Sequence, residues 1–116
     1  MSRTSYSSGR SSEFVDGLVK AIFGSQVRPY AIQYLLSNGK SKSGDISKNL
    51  DRSQAAVETS LRPLVIERVL TIDPGTKEYD FNVKLGPEVF RLAQHVTQTL
   101  RTIEEYAKTL DEKSRM

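Results

Sequence analysis

The residues of this chain that could do chemistry are few. Cysteine is absent and His95 is the single histidine, which excludes disulfides, thiolate metal sites and thiol redox switches and leaves little for a metal, whose stable sites draw on several Cys, His or carboxylate ligands. Glu104-Glu105 and Asp111-Glu112 are paired carboxylates. With no histidine or ligand set beside them they read as solubilising charges. The chain contains no Gly-rich phosphate loop, nucleophile motif or metal-ligand spacing. The expectation is a protein that is not an enzyme and needs no cofactor or metal.

A different chemistry is written at residues 53–62. Val57, Leu61 and Leu64 share one side of a helix, and the opposite side presents Gln54, Ala55, Glu58, Thr59 and Arg62. These side chains suit base edges in a DNA major groove, which admits a helix. There Gln pairs adenine, Glu accepts from cytosine, and Ala or the Thr methyl touches thymine. Arg52 and Ser53 precede the first turn, where the helix dipole favours a backbone phosphate. Lys40, Lys42 and Lys48 would flank the groove as phosphate contacts, and Lys77 would sit at the tip of a following turn. Each of these residues, taken singly, also fits a solvated face, so the case rests on the group.

Charge supports the same division. The 116 residues carry a net charge of +3, a mild excess that is unevenly spread. Residues 1–12 hold Arg3 and Arg10 and no acid. Residues 40–68 hold six bases (Lys40, Lys42, Lys48, Arg52, Arg62, Arg68) against four acids, while residues 87–116 hold five of each sign. The basic bias therefore falls where a polyanion would bind, and the last segment has another purpose.

The elements that must position these groups follow from period and punctuation. Residues 1–12, rich in Ser, Gly and Arg, are expected to form a flexible basic arm. A first helix is expected over 12–23, with Phe14, Val15, Leu18, Val19 and Ile22 in one stripe and Gly24 as its break. A second runs over 25–37, with Pro29 in its first turn and Asn38-Gly39 as a stop. Ser43 should cap a short third helix that ends at Asp51, and Ser53 should cap the fourth, which Pro63 should kink or end near Arg62. The period then becomes two. Residues 69–73 and 79–83 read as a hairpin with its tip at 74–77, and Gly86-Pro87 opens a last helix over 87–112. The expected fold is mainly α with a small β-hairpin, a winged helix-turn-helix over 13–86 followed by a long C-terminal helix and tail over 87–116.

That last helix carries the most regular pattern. After Val89, the residues Ala93, Val96, Leu100, Ile103, Ala107 and Leu110 follow at steps of 4, 3, 4, 3, 4 and 3, a heptad seam. The expectation is a homodimer whose interface is these seven residues, with two recognition helices about 34 Å apart in successive major grooves of an inverted repeat. His95, beside the seam, reads as a surface or interface histidine. Tyr30 and Tyr34, one turn apart, read as packing residues.

Residues 23–85 resemble the winged helix-turn-helix of the ArsR/MarR-like transcriptional regulators. The resemblance is carried by Ser25-Gln26-Val27-Arg28 leading into residues 32–36, then Ser43-Gly44-Asp45-Ile46-Ser47. It continues through Leu50-Asp51-Arg52-Ser53-Gln54-Ala55-Ala56-Val57, Leu61-Arg62-Pro63-Leu64 and the hairpin at 69–83. The glycine usual before the first wing strand falls at Arg68, and the thiolate metal-sensing motif of many ArsR members is missing, so the chain is not a Cys-based metal sensor. The resemblance implies sequence-specific binding of double-stranded DNA by a transcriptional regulator, most simply a repressor, with transcription machinery as a possible second partner. A related scaffold serves as the centromere-binding adaptor of plasmid and phage DNA segregation, which binds repeat DNA and recruits a partition motor. A third reading is a winged-helix protein–protein interaction subunit. No stretch of 18 apolar residues and no apolar N-terminal leader are present, so the expectation is a cytoplasmic, nucleoid- or plasmid-associated protein away from membranes.

Overall fold

Helix ends in this chain are set by a handful of residues with unusual backbone or side-chain demands. The computed structural model describes residues 9–114, with side chains from Val15 to Leu110. Helix α1 (Gly9–Phe23) stops at Gly24, whose φ of 76° suits glycine. It begins three residues before the expected Ser12, so residues 9–12 are helical; the rest of the expected arm, residues 1–8, lies outside the described residues. Ser25 was expected to open the next helix. Its hydroxyl instead accepts from the backbone N–H of Val27 and Arg28 (3.1 and 3.0 Å), forming a turn ahead of α2 (Arg28–Asn38). Gly39, at φ 78°, closes α2 by donating its N–H to the Leu35 carbonyl.

A two-residue strand, β1 (Ser41–Lys42), comes next and was not expected from the sequence. Helix α3 (Ser43–Leu50) ends at Asp51 in the left-handed conformation (φ 55°). Helix α4 (Gln54–Ile66) starts at Ser53, whose Oγ accepts from Ala56 N–H at 3.1 Å, as expected of a cap. Pro63 does not end α4, which continues to Ile66. Lacking an N–H, the proline forfeits one helical hydrogen bond. The carbonyl that loses it belongs to Thr59, and both residues are exposed to water.

Strands β2 (Leu70–Ile72) and β3 (Glu78–Phe81) form the hairpin, with Leu70 opposite Phe81 and Ile72 opposite Tyr79. Strand β1 pairs antiparallel with the other edge of β3, Ser41 opposite Tyr79, so the sheet order is β1-β3-β2. Val83, expected at the end of the second strand, instead begins a single 3-10 turn (Val83–Leu85). There the Asn82 side chain accepts from Lys84 N–H at 3.2 Å and bends the chain away from the sheet. Helix α5 (Glu88–Ser114) then runs for 27 residues, about 40 Å at 1.5 Å per residue. Helix, short strand, helix-turn-helix and two-stranded wing, closed by one antiparallel sheet, make a winged helix-turn-helix with a long C-terminal helix.

Two apolar clusters hold these elements. The larger joins Ala31, Ile32 and Leu35 of α2, Ile46 of α3 and Val57 and Leu61 of α4 to Leu70, Tyr79 and Phe81 of the sheet and Val89 and Ala93 of α5. The smaller joins Val19 of α1 to Leu100 and Ile103 of α5, with Tyr30 packed on its margin. Val96 is half-buried and touches both clusters.

This corrects the heptad seam. The expected interface residues Val89, Ala93, Val96, Leu100 and Ile103 pack inside their own chain, against the main core and α1, and Ala107 is buried as well. Leu100 retains 1% exposure, whereas Leu110 keeps 37%. A heptad reports that one face of a helix is covered along its length. Here α1 and α2 of the same chain provide most of that cover.

Candidate nucleic-acid interface

The turn Asp51-Arg52-Ser53 sets α4 across α3. The N–H of Arg52 donates to the Ser47 carbonyl at 3.0 Å, and Asp51 takes the left-handed conformation that reverses the chain. Arg52 is half-buried at this corner and Ser53 is spent on the cap, its Oγ holding Ala56 N–H. With Val57 and Leu61 wholly buried, Ala55, Thr59 and Arg62 form an exposed line at i, i+4 and i+7. The sequence thus located the outward face of α4.

The flank of α4 that faces the wing is more ordered than expected. Ser43, expected to cap α3, lies inside its first turn, and Lys42 occupies the cap position with no side-chain bond. The Ser43 hydroxyl donates instead to Glu58 Oε2 at 2.7 Å, and Gln54 Nε2 donates to the same oxygen at 3.1 Å. Ser43 is buried, Glu58 half-buried and Gln54 exposed. The Ser43 hydroxyl, then the Gln54 amide, with help from the Arg62 charge, hold the Glu58 carboxyl below its ordinary range against partial burial. Sequence reasoning missed Ser43 as a member of the site, because the bond links residues 15 apart and depends on how α3 crosses α4.

Glu58, Gln54 and Ser43 form one wall of a recess of about 430 Å³. Lys42, Lys48 and the wing residue Lys77 line it too, as does Tyr79. Burial, and then the Glu58 charge, push the Tyr79 phenol up. The fold thus brings together five of the expected contact residues: Gln54, Glu58, Lys42, Lys48 and Lys77. The three lysines are exposed, and no ion pair within 4 Å is found for them among the described residues.

Lys40 is the exception among the expected phosphate contacts. Its Nζ lies 3.2 Å from Asp73 Oδ2, an ion pair at the start of the wing's tip turn. The same aspartate accepts the N–H groups of Gly75 and Thr76 through Oδ1 (2.8 and 3.1 Å), which shapes the wing tip. The Thr76 and Gly75 amides, then Lys40, hold the Asp73 carboxyl below the usual range, and Asp73 in turn raises Lys40. The tip carries Lys77 at φ 65°. Lys40 therefore serves the wing's shape in this structure, and Lys77 is the residue the wing extends.

Arg68 occupies the position where the resemblance places a glycine, and its φ is 66°. The backbone there takes the left-handed conformation that glycine adopts most easily, with a long side chain on it. Asn82 Nδ2 donates to the Arg68 carbonyl at 2.8 Å and holds the turn from the far strand's end.

Among the described residues no cluster of His, Asp or Glu is arranged to hold a metal ion. No helix is long and apolar enough to cross a membrane.

No protein-family model and no curated protein matches the chain. Among solved structures it is similar to the transcriptional regulator Tm0710 from Thermotoga maritima, at 16% identity and a TM-score of 0.49, with 91% of this chain and 82% of that chain covered.

Proposed function

We propose that the chain binds double-stranded DNA through α4 and the wing and acts as a transcriptional regulator, most simply a repressor that occludes a promoter. The observation that carries this reading is the recess between α3, α4 and the wing. Lysines from three separate elements, Lys42, Lys48 and Lys77, line it beside the polar flank of the helix whose outer line is Ala55, Thr59 and Arg62. Separate lysines on converging elements suit a phosphate backbone, and an exposed line of small and polar side chains suits base edges. Arg52, at the start of α4, completes the phosphate contacts.

The reading extends to a homodimer on an inverted repeat. Its support is no longer the covered seam but what lies outside it. Leu92 and Tyr106 on α5 remain 52% and 53% exposed and, with Thr99 between them, repeat every seven residues. Leu110 on the same helix and Ile22 on α1 are exposed as well.

The test is a mobility-shift titration of duplex fragments at two salt concentrations. Four phosphate contacts per protomer (Arg52, Lys42, Lys48, Lys77) make eight in a dimer, and binding should weaken by about 10³–10⁵ between 50 and 200 mM salt. Arg62→Ala and Lys77→Ala should each weaken retention. Salt-independent retention, or none at all, overturns the reading.

A further inference from the structure

The chemistry of the Glu58 carboxylate goes further than its presence on α4. Both of its hydrogen bonds, from the Ser43 hydroxyl and the Gln54 amide, fall on Oε2. Oε1 has no partner among the described residues, and no buried side-chain oxygen there is left unpaired, so Oε1 is open to solvent. The site therefore holds one fixed oxygen and presents one free oxygen, on the flank of α4 that lines the recess.

Gln54 is held by the same bond. One N–H of its amide is donated to Glu58 Oε2, and its Oε1 lies beside Gly44, 3.7 Å from where a β-carbon on that residue would stand. Reading adenine takes both ends of a glutamine amide at once, as donor to N7 and acceptor from N6. Its second amide N–H and its Oε1 have no partner among the described residues, so the bond to Glu58 fixes the amide's orientation without consuming it.

We infer that Glu58 is the specificity-determining residue of α4 and selects a cytosine, with Ser43 and Gln54 positioning its carboxylate. The inference rests on the DNA-binding reading above. An ionised carboxylate only accepts hydrogen bonds, so it needs a donor on the base edge. Guanine offers N7 and O6 in the major groove and thymine O4, all acceptors that repel it. Adenine offers N6 but sets the N7 acceptor beside it. Cytosine offers its N4 amino group with no adjacent acceptor. A negative charge on the binding face penalises every duplex that cannot supply such a donor, so the selection works by rejection as much as by attraction. The buried Ser43 hydroxyl matters because a freely rotating carboxylate could turn away from a mismatched base, while one anchored to α3 cannot.

The experiment is selection of bound duplexes from a randomised pool by the full chain and by Glu58→Gln, Ser43→Ala and Gln54→Ala, followed by affinity measurements on the recovered sites. The wild type should recover a cytosine at one fixed position of the site, and replacing that base should cost about 10–100-fold in affinity. Glu58→Gln, whose amide oxygen can still accept from Ser43, turns an N–H donor toward the base and should replace the cytosine by a base with an acceptor edge, guanine or thymine. Ser43→Ala should shrink the cytosine preference several-fold at the same salt. Gln54→Ala should keep the cytosine. Recovery of an identical site by wild type and Glu58→Gln overturns the inference. So does an adenine requirement that disappears with Gln54→Ala. Failure of the wild type to retain any duplex overturns the DNA-binding reading itself, a result plainly different from the other two.

Discussion

Arg28 Nε donates to the carbonyl of Ser60 at 2.7 Å, which ties the start of α2 to the middle of α4. The same guanidinium reaches the last carbonyl of α1 through Nη1, at 3.2 Å from Phe23 O. One planar fork thus fixes the angle at which three helices meet, and α4 takes its stance from it.

Removing that fork should be costly. Hydrogen bonds from a charged donor contribute about 1.5–3 kcal/mol, and Arg28→Ala should lower stability by an amount in that range. Arg28→Lys should recover little of it, because a single ammonium cannot make both bonds in fixed geometry. Chemical denaturation of the three proteins measures both effects, and full rescue by lysine would contradict the role given to the fork.

The covered seam changes how a dimer must be probed. Leu100→Asp places a charge in the cluster with Val19 and Ile103 and should unfold the chain or destabilise it by more than about 4 kcal/mol. Leu92→Glu and Tyr106→Glu, on exposed positions, should leave the melting transition nearly unchanged and shift a dimer toward monomer. Sedimentation or light scattering alongside thermal melting separates the two classes. If the surface pair has no effect on mass, the dimer lies elsewhere or does not form.

The turn at Arg68 predicts an unusual ranking. Left-handed backbone is costly for a β-branched residue, is relieved by glycine and is tolerated by asparagine. Arg68→Val should destabilise the wing by about 1–2 kcal/mol. Arg68→Gly should be neutral or slightly stabilising despite glycine's greater freedom when unfolded. Melting temperatures ordered with valine at or above glycine would mean that the turn differs in solution.

Asp73 gives the wing a pH dependence of known sign. Its carboxyl is held below the ordinary value by the Thr76 and Gly75 amides and by Lys40. Its contribution is therefore present above the unfolded value and lost as pH falls through the lower folded value, below about pH 4. Lys40, raised by the same pair, contributes below its unfolded value and loses that contribution only as pH rises through the higher folded value. The stability difference between wild type and Asp73→Asn should be present at pH 6 and should fade toward pH 3. A difference that persists undiminished at pH 3 would mean that ionisation of Asp73 is not what holds the tip.

Much of the fold was legible because local chemistry agreed with it. Gly39, Asp51, Ser53 and the alternation Tyr79-Asp80-Phe81 each specify their element from nearest neighbours. What was missed depends on distant parts of the chain. Strand β1 is two residues long and exists only because β3 offers an open edge to Ser41 and Lys42. Pro63 is a helix breaker in isolation, yet Val57 and Leu61 are packed well enough to carry α4 past it. The heptad from Val89 to Leu110 correctly marked a covered face, but periodicity does not say whether the cover is a second copy or α1 and α2. At the candidate site, residue types on α4 and the lysines around it were readable. The Ser43–Glu58 bond and the diversion of Lys40 to Asp73 were not, since each joins elements whose crossing is a tertiary property.

The two clusters that share α5 have a consequence for how the molecule opens. Ala93 belongs to one and Leu100 to the other, with only half-buried Val96 common to both. Among the described residues, fewer buried side chains hold α1 to the distal part of α5 than hold the winged domain. Amide protons in α1 and beyond Leu100 should therefore exchange through a local opening that leaves α2, α4 and the sheet intact. The two halves of one continuous helix would then report different protection, as a rod anchored firmly at one end and clasped lightly at the other.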